Sequence, residues 1–274
     1  MKKTEFANLS PEQFRKYAQQ HKEKDWLLID VRQPAEYEKK HIPGALLIPV
    51  SELQSRVFEL PSDRDLLFYC HSGGRSAFAA DMVSDAEVTE KKIWNLAGGI
   101  MAWDGKTLAD FPKIAVFPKT DALPELLMTA MNLEKGAFRF YQYALEKFSR
   151  EPFARTLADL SKAEEAHAEL VYRYWEKTQS LPLPFEKLFA DLGGEILEGG
   201  EKLETVIIRL EKAGGSPCIS VMELALHIEY TAYDLYRTVA EQSGNDEAKE
   251  IFLGIAQAEK GHMKMLVKSL SECS

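Results

Sequence analysis

Short apolar runs alternate with helical patterns along the first part of the chain. Four continuous apolar runs are predicted to be strands: residues 26–31, 45–50, 65–69 and 92–96. Ser10 followed by Pro11 is typical of a helix start, with serine as the cap and proline in the first turn. Because apolar strands separated by helices form parallel sheets covered on both faces, residues 1–112 are predicted to be an α/β domain.

From about residue 124 onward, the spacing of apolar residues becomes that of long helices. Apolar residues then recur at steps of three and four along four segments: 124–149, 151–178, 218–243 and 245–272. Such stripes face the interior of a helical bundle, so residues 124–274 are predicted to be an all-α domain. A long irregular stretch with two glycine pairs, Gly193-Gly194 and Gly199-Gly200, connects the second segment to the third. Residues 113–123 break both periods and are predicted to be a linker.

Six polar residues lie on these apolar stripes. They are two lone glutamates and two Glu-x-x-His pairs: Glu134, Glu164, His167, Glu229, Glu259 and His262. Each lone glutamate precedes its pair by the same interval, 164 − 134 = 30 and 259 − 229 = 30. Since helical residues three apart share a face, one glutamate and one histidine can reach the same ion.

A buried carboxylate without a partner costs several kcal/mol, and a bound metal ion removes that cost. One glutamate from each of two helices and a Glu-x-x-His from each of the other two is the ligand set of ferritin-like di-iron or di-manganese proteins. The sequence therefore predicts a ferritin-like four-helix bundle with two iron ions. Manganese is the alternative, since these ligands suit both metals. Coincidental burial of the six residues is the competing explanation.

Tyr141 and Tyr236 each stand seven residues after a lone glutamate. They can donate hydrogen bonds to the ligand carboxylates, but plain packing in the core is the favoured interpretation, because tyrosine packs well in such positions.

A cysteine stands where the third predicted strand ends and a helix is predicted to begin. The sequence there is Cys70-His71-Ser72-Gly73-Gly74-Arg75-Ser76. The carboxyl ends of parallel strands are where α/β sheets bind ligands. Loop amides, the helix N-terminus and the charge of Arg75 all favour the thiolate, which is the nucleophilic form. An inert buried cysteine is the alternative.

This loop and three flanking motifs resemble the rhodanese family. The flanking motifs are Leu28-Ile29-Asp30-Val31-Arg32, then Glu36-Tyr37 through His41-Ile42-Pro43-Gly44-Ala45, and finally Leu96-Ala97-Gly98-Gly99-Ile100-Met101-Ala102-Trp103. The resemblance implies a single-domain sulfurtransferase in which Cys70 accepts a sulfane sulfur from a small donor and passes it, as a persulfide, to a thiol acceptor. It also implies that the amides of His71 to Ser76 cradle the persulfide and that Arg75 holds an anionic donor. Asp30, Arg32 and His41 are expected to shape the fold.

Residues 124–274 resemble the rubrerythrin branch of the ferritin-like proteins. The resemblance assigns the six residues above as metal ligands and implies dimerisation through the bundle. The chain has no Cys-x-x-Cys pair for a rubredoxin module, so an external electron donor is implied. Leu226 stands where the family commonly has a further glutamate, one turn before the ligand of the third helix.

Composition narrows the class of protein. The 274 residues are 45% hydrophobic and 28% charged, with a net charge of −9, which argues against nucleic-acid binding. No stretch approaches the roughly 20 apolar residues that span a bilayer, so no membrane partner is expected. Three cysteines are typical of a reducing cytosol without disulfides, so the location is predicted to be cytoplasmic.

These features together predict an enzyme with two centres. One transfers sulfane sulfur at Cys70, and the other is a di-iron carboxylate centre for redox chemistry with peroxide or oxygen. The alternative is an iron-binding or sensing bundle without turnover, attached to a rhodanese that delivers sulfur to a partner protein.

Overall fold

The computed structural model describes residues 5–273, and the chain divides after Phe111 into two compact units. The first unit contains a sheet of five parallel strands in the order β1-β5-β4-β2-β3. The strands are β1 (Phe6–Leu9), β2 (Trp26–Asp30), β3 (Leu46–Leu47), β4 (Asp65–Tyr69) and β5 (Ile93–Leu96). The predicted α/β class is thereby confirmed.

Helices cover both faces of this sheet. They are α1 (Pro11–Gln20), α2 (Pro34–Lys39), α3 (Val50–Arg56), α4 (Gly74–Asp85) and α5 (Gly99–Ala102). Alternate residues of β2 pack into two separate cores, Leu27 and Ile29 into one and Trp26 and Leu28 into the other. Burial on both faces explains why the strand sequences are continuously apolar. Ser10 caps α1 as predicted, since its hydroxyl accepts a hydrogen bond from the Gln13 amide.

Two details of the strand prediction are wrong. The edge strand β1 was not predicted, because its four residues are half-buried or exposed and lack a continuous apolar pattern. The run 45–50 contributes only Leu46–Leu47 to the sheet, and the chain turns at Pro49 into α3. Neither difference moves Cys70, which follows the central strand β4.

The second unit is built from two long helical hairpins. The first consists of α6 (Leu123–Lys147) and α7 (Ala154–Trp175). Between the hairpins lie α8 (Phe185–Asp191), which was not predicted, and α9 (Leu203–Lys212). The second hairpin consists of α10 (Pro217–Gln242) and α11 (Asp246–Ser271), so the predicted all-α bundle is confirmed.

The predicted linker carries some structure of its own. A 3-10 turn forms at Ile114–Val116, and the side chain of Phe117 is buried against Phe252 of α11, with ring centroids 5.5 Å apart. The linker and domain boundaries given above remain predictions.

A disulfide joins Cys218, at the start of α10, to Cys273, just after α11. The expectation that the cysteines form no disulfide is therefore wrong. The two residues are 55 positions apart in sequence, and only the antiparallel packing of α10 on α11 brings their Cα atoms to 5.6 Å. The pairing could not be seen from the number and spacing of the cysteines alone.

Within residues 5–273, no helix is both long enough and apolar enough to cross a membrane.

Candidate metal centre and reactive cysteine

The Cys70 sulfur is buried in a loop that donates hydrogen bonds to it. The Gly73 amide donates to Sγ at 3.1 Å, and the Ser76 hydroxyl lies 3.4 Å from the same atom. Gly73 adopts φ +98°, a left-handed conformation that glycine accepts without strain. The backbone therefore turns at Gly73, and the turn directs the Gly73 amide toward the sulfur.

Backbone amides of α5 hold this loop in place. The Ile100 amide donates to the Cys70 carbonyl at 2.8 Å, and the Met101 amide donates to the His71 carbonyl at 3.1 Å. A Cβ atom at Gly99 would lie 2.5 Å from the Cys70 carbonyl oxygen, so only glycine allows this approach. The Gly98-Gly99 motif thus supports the position of the cysteine.

The surroundings of Cys70 favour the thiolate. Burial alone raises the pKa of the thiol, but hydrogen bonds from the Ser76 hydroxyl and from the amides of Ser76, Gly73 and Ser72 outweigh it, so the pKa lies below its usual value. A thiolate is the nucleophilic form of cysteine. The loop can therefore support attack by sulfur.

Arg75 is held at the edge of the loop by Glu36 of α2. Two hydrogen bonds of 2.7 Å join the guanidinium to the carboxylate, and this pairing lowers the pKa of Glu36 to about 2. Arg75 is about one-third exposed, so an anion can still approach it. His71, Ser72 and Gly74 are exposed at the rim, whereas Gly73 and Ser76 are buried.

Asp30 and Arg32 form a buried ion pair next to the sheet. The Arg32 Nη2 atom lies 2.6 Å from Asp30 Oδ2 and donates to the Lys40 carbonyl at 2.7 Å. These contacts support the framework role expected for both residues.

The six polar residues of the bundle come together in one cluster, drawn from all four long helices. The Nδ1 atom of His167 lies 3.3 Å from Glu134 Oε2 and 3.5 Å from oxygens of both Glu164 and Glu259. The two imidazole rings stack, with centroids 4.8 Å apart.

His262 faces the other side of the same cluster. Its Nδ1 atom lies 2.9 Å from Glu229 Oε2, 3.2 Å from Glu259 Oε2 and 3.3 Å from Glu164 Oε1. Glu164 and Glu259 therefore lie between the two histidines. Glu134 lies beside His167, and Glu229 lies beside His262. Ligand atoms of Glu164, His167, Glu259 and His262 all lie within 4.8 Å of one another.

The cluster is buried, yet many of its polar atoms lack hydrogen bonds. The four glutamates are at most 1% exposed. Within residues 5–273, no hydrogen-bond partner exists for these atoms: Glu134 Oε2, Glu164 Oε1 and Oε2, His167 Nδ1, and Glu259 Oε1 and Oε2. Such atoms are rare in folded proteins, and here they form a set of donors that could bind a metal ion. Their donor types, carboxylate oxygen and imidazole nitrogen, fit iron or manganese.

Burial and mutual repulsion disturb the ionisation of the cluster. Burial raises the pKa of Glu134 to about 7 and that of Glu229 well above its usual value. Burial lowers the pKa of His262, but the charges of Glu164, Glu229 and Glu259 outweigh it and raise that pKa. Protons therefore occupy the cluster in its metal-free form, and metal ions would displace them.

Two tyrosines hold the lone glutamates in place. The Tyr236 hydroxyl of α10 donates to Glu134 Oε1 of α6 at 2.5 Å, and the Tyr141 hydroxyl of α6 donates to Glu229 Oε1 of α10. Each tyrosine thus orients the glutamate of the opposite hairpin. The favoured interpretation of both as plain packing residues is wrong, because the prediction weighed their apolar surroundings and not the reciprocal spacing.

Glu198 is a further carboxylate at this cluster that the sequence interpretation missed. It lies in the irregular stretch between α8 and α9, is 2% exposed, and places a carboxylate oxygen within 4.8 Å of oxygens of Glu134 and Glu164. No helical period marks it. The usable signal was its position next to Gly199-Gly200, since paired glycines permit close approach of a backbone.

Two family models match the chain. The model described as rhodanese-like domain matches residues 11–106, and the model described as rubrerythrin matches residues 125–270. The first covers the sheet and the Cys70 loop, and the second covers the four helices of the cluster.

Curated relatives resemble the first unit. The chain is 41% identical over 80 residues to the putative sulfur carrier protein YrkF of Bacillus subtilis (strain 168), a match covering 29% of this chain and 42% of that protein. It is 42% identical over 79 residues to a sulfurtransferase of Allochromatium vinosum, covering 29% of this chain and 72% of that one. The chain spans 64% of another B. subtilis relative, the uncharacterised protein YqhL.

A solved structure also aligns with the first unit. A rhodanese-related protein from Thermoplasma volcanium is 23% identical, with a TM-score of 0.33, and the alignment covers 38% of this chain and all of that one. The family matches agree with the fold and the residue clusters described above. The chain is therefore a member of the rubrerythrin family, and it carries a rhodanese-like domain in its N-terminal half.

Proposed function

We propose that the chain is an enzyme with two centres: a sulfurtransferase that forms a persulfide at Cys70, and a di-iron carboxylate oxidoreductase in the helical bundle that reacts with peroxide or oxygen. The single observation that supports the second centre most strongly is the set of buried carboxylate and imidazole atoms without hydrogen-bond partners among residues 5–273. A di-iron site would use these carboxylate and imidazole groups as ligands.

Sulfur transfer at Cys70 proceeds in two displacements. The Cys70 thiolate attacks the outer sulfur of a small sulfane-sulfur donor. A new S–S bond forms, the S–S bond of the donor breaks, and the leaving group takes the electron pair. An acceptor thiolate then attacks the outer sulfur of the persulfide, and Cys70 leaves as the thiolate. The Gly73 amide and the Ser76 hydroxyl stabilise that thiolate by hydrogen bonds.

The matched variants Cys70→Ser and Ser72→Ala test the first centre. Sulfur transfer from thiosulfate to cyanide or to a small thiol should fall to background in Cys70→Ser and remain near the wild-type rate in Ser72→Ala, since the Ser72 side chain is exposed at the rim. Undiminished transfer by Cys70→Ser would remove this activity from the proposal.

The bundle residues have separable roles in the second centre. Glu134, Glu164, His167, Glu229, Glu259 and His262 would hold the ions, and a bound iron pair supplies one-electron redox chemistry. Tyr141 and Tyr236 orient Glu229 and Glu134 through hydrogen bonds. Burial raises the pKa of both phenols well above the usual value, so they stay protonated and keep donating. The buried helix faces exclude bulk water.

Rapid mixing of the iron(II)-loaded protein with hydrogen peroxide tests the second centre. Fast oxidation followed by repeated turnover with an external reductant is the expected result. Slow oxidation of the bound iron without turnover would favour the alternative, an iron-binding or sensing bundle with a rhodanese that delivers sulfur to a partner protein. Small sulfur donors, a thiol acceptor, an external electron donor, a homodimer formed through the bundle, and a cytoplasmic location remain parts of this proposal.

A further inference from the structure

The irregular stretch between α8 and α9, residues 192–202, is called the crossover segment here. Its backbone is closed on itself by hydrogen bonds. The Leu203 amide donates to the Glu195 carbonyl at 2.9 Å, and the Leu197 amide donates to the Glu201 carbonyl at 2.9 Å. The Gly200 amide donates to the Leu197 carbonyl at 2.7 Å. Glu198 therefore sits at the tip of a turn with a fixed backbone.

Glycines allow this segment to lie directly against the bundle. A Cβ atom at Gly136 of α6 would lie 2.1 Å from the Ile196 carbonyl oxygen. A Cβ atom at Gly199 would lie 2.1 Å from the Thr231 hydroxyl oxygen of α10. Gly136 is two residues from Glu134, and Thr231 is two residues from Glu229. The segment is thus seated beside both lone glutamates by contacts that any larger residue would prevent.

The carboxylate of Glu198 enters the cluster from this segment. An oxygen of Glu198 and oxygens of Glu134 and Glu164 all lie within 4.8 Å of one another. The Oε1 atom of Glu198 has no hydrogen-bond partner in the part of the chain that the structure describes. Three carboxylates this close repel one another, and burial of an uncompensated carboxylate is costly. A cation between them removes both penalties.

An apolar residue next to Glu198 packs in the core of the bundle. Leu197 is 1% exposed and packs in the apolar core of the bundle. The segment is therefore anchored by an apolar side chain next to Glu198.

We infer that Glu198 is a seventh protein ligand of the metal pair, on the side of the cluster where it lies near Glu134 and Glu164. This inference rests on the proposed di-metal function of the bundle. Hard oxygen donors favour cations such as manganese(II) and iron(III). The added negative charge would stabilise the higher oxidation state of a bound iron and so lower the reduction potential of the centre.

Binding of manganese(II) to chelator-treated full-length protein tests this assignment. The variant is Glu198→Gln, which keeps the shape and removes the charge. The matched control is Glu195→Gln, an exposed carboxylate of the same segment. Titration calorimetry should find two ions per wild-type and control chain. One of the two should bind at least about 10-fold more weakly in Glu198→Gln, since even residues behind the ligands change affinity by 10- to 100-fold.

Thermal melting of the metal-free proteins separates a ligand from a structural residue. Without metal, Glu198→Gln should melt at or above the wild-type temperature, because an unpaired buried carboxylate has been removed. A lower melting temperature would assign Glu198 a structural role and overturn the inference. Equal affinity of the variant and the wild type for both ions would overturn it as well, while leaving the di-metal function intact. Absence of any binding by the wild type would instead refute the proposed function.

Discussion

The Cys70 sulfur and the carboxylates of the bundle are both buried ionisable groups, but the protein surrounds them differently. Cys70 Sγ accepts hydrogen bonds from groups within six residues of it in sequence. The bundle cluster draws on four helices and the crossover segment, and many of its polar atoms lack a hydrogen-bond partner among the described residues. The first site is satisfied by hydrogen bonds within its own loop, whereas the second presents donor groups that could bind a metal ion.

This difference determines whether a mutation or metal removal changes the reactivity or the stability of each site. A local loop keeps its geometry as long as its own backbone is intact, so changes there act on reactivity more than on stability. A cluster of buried carboxylates has an unfavourable energy that a bound cation lowers. We expect metal removal, loss of the disulfide and loss of single hydrogen bonds to affect the two units unequally.

Metal removal should destabilise the bundle and leave the Cys70 loop unchanged. An ion present at about 1,000 times its dissociation constant adds about 4 kcal/mol to the free energy of unfolding. For a domain of this size that corresponds to a rise of roughly 8–16 °C in melting temperature. Calorimetry with and without chelator measures the change, while the alkylation rate of Cys70 serves as the control. An unchanged melting temperature of the helical bundle after chelation would show that metal does not stabilise it.

Loss of the Cys218–Cys273 disulfide should be the next largest effect. The bond closes a loop across 55 positions, and removing such a crosslink typically costs about 2–4 kcal/mol. Denaturant unfolding of Cys218→Ser, followed by far-ultraviolet circular dichroism, measures the loss. Reductant should destabilise the wild type by a similar amount and have no further effect on the variant. A reductant effect equal in both proteins would show that the bond does not stabilise the bundle.

The variants Tyr141→Phe and Tyr236→Phe should weaken metal binding. Each removes a hydrogen bond to a buried glutamate, and residues that orient ligands typically contribute 10- to 100-fold to affinity. Tyr143→Phe is the matched control, because that hydroxyl binds Glu211 at the surface, 2.6 Å away. Competition with a coloured chelator reads the affinities. The account would be wrong if Tyr143→Phe lowered affinity as much as Tyr141→Phe.

The smallest effect is expected for Ser76→Ala at the cysteine loop. The Ser76 hydroxyl helps to hold the pKa of Cys70 below its usual value. Its removal should raise that pKa, so the pH profile of alkylation by iodoacetamide moves to higher pH and the rate at pH 7 falls severalfold. Ser72→Ala should leave the profile in place. The disulfide leaves Cys70 as the thiol that reacts.

Features that depend on residues close together in sequence, or on a regular helical spacing, could be predicted from the sequence. The Cys70 loop is contiguous, and the six bundle residues lie on regular helical stripes, so spacing alone brought them to one interior. Glu198 lies outside any helical period, and its approach depends on Gly136 in a distant helix as well as on the adjacent Gly199. The disulfide depends on where two helix ends meet in space. Such tertiary relations have no local signature.

Metal content per chain tests whether the bundle holds a di-metal site. Protein purified without chelator should contain about two iron ions per chain. The double variant Glu164→Ala/Glu259→Ala should contain none, and the exposed control Glu165→Ala/Glu250→Ala should match the wild type. Elemental analysis together with circular dichroism separates loss of metal from loss of fold. Equal metal content in the wild type and the Glu164→Ala/Glu259→Ala variant, or none in the wild type, would contradict the account.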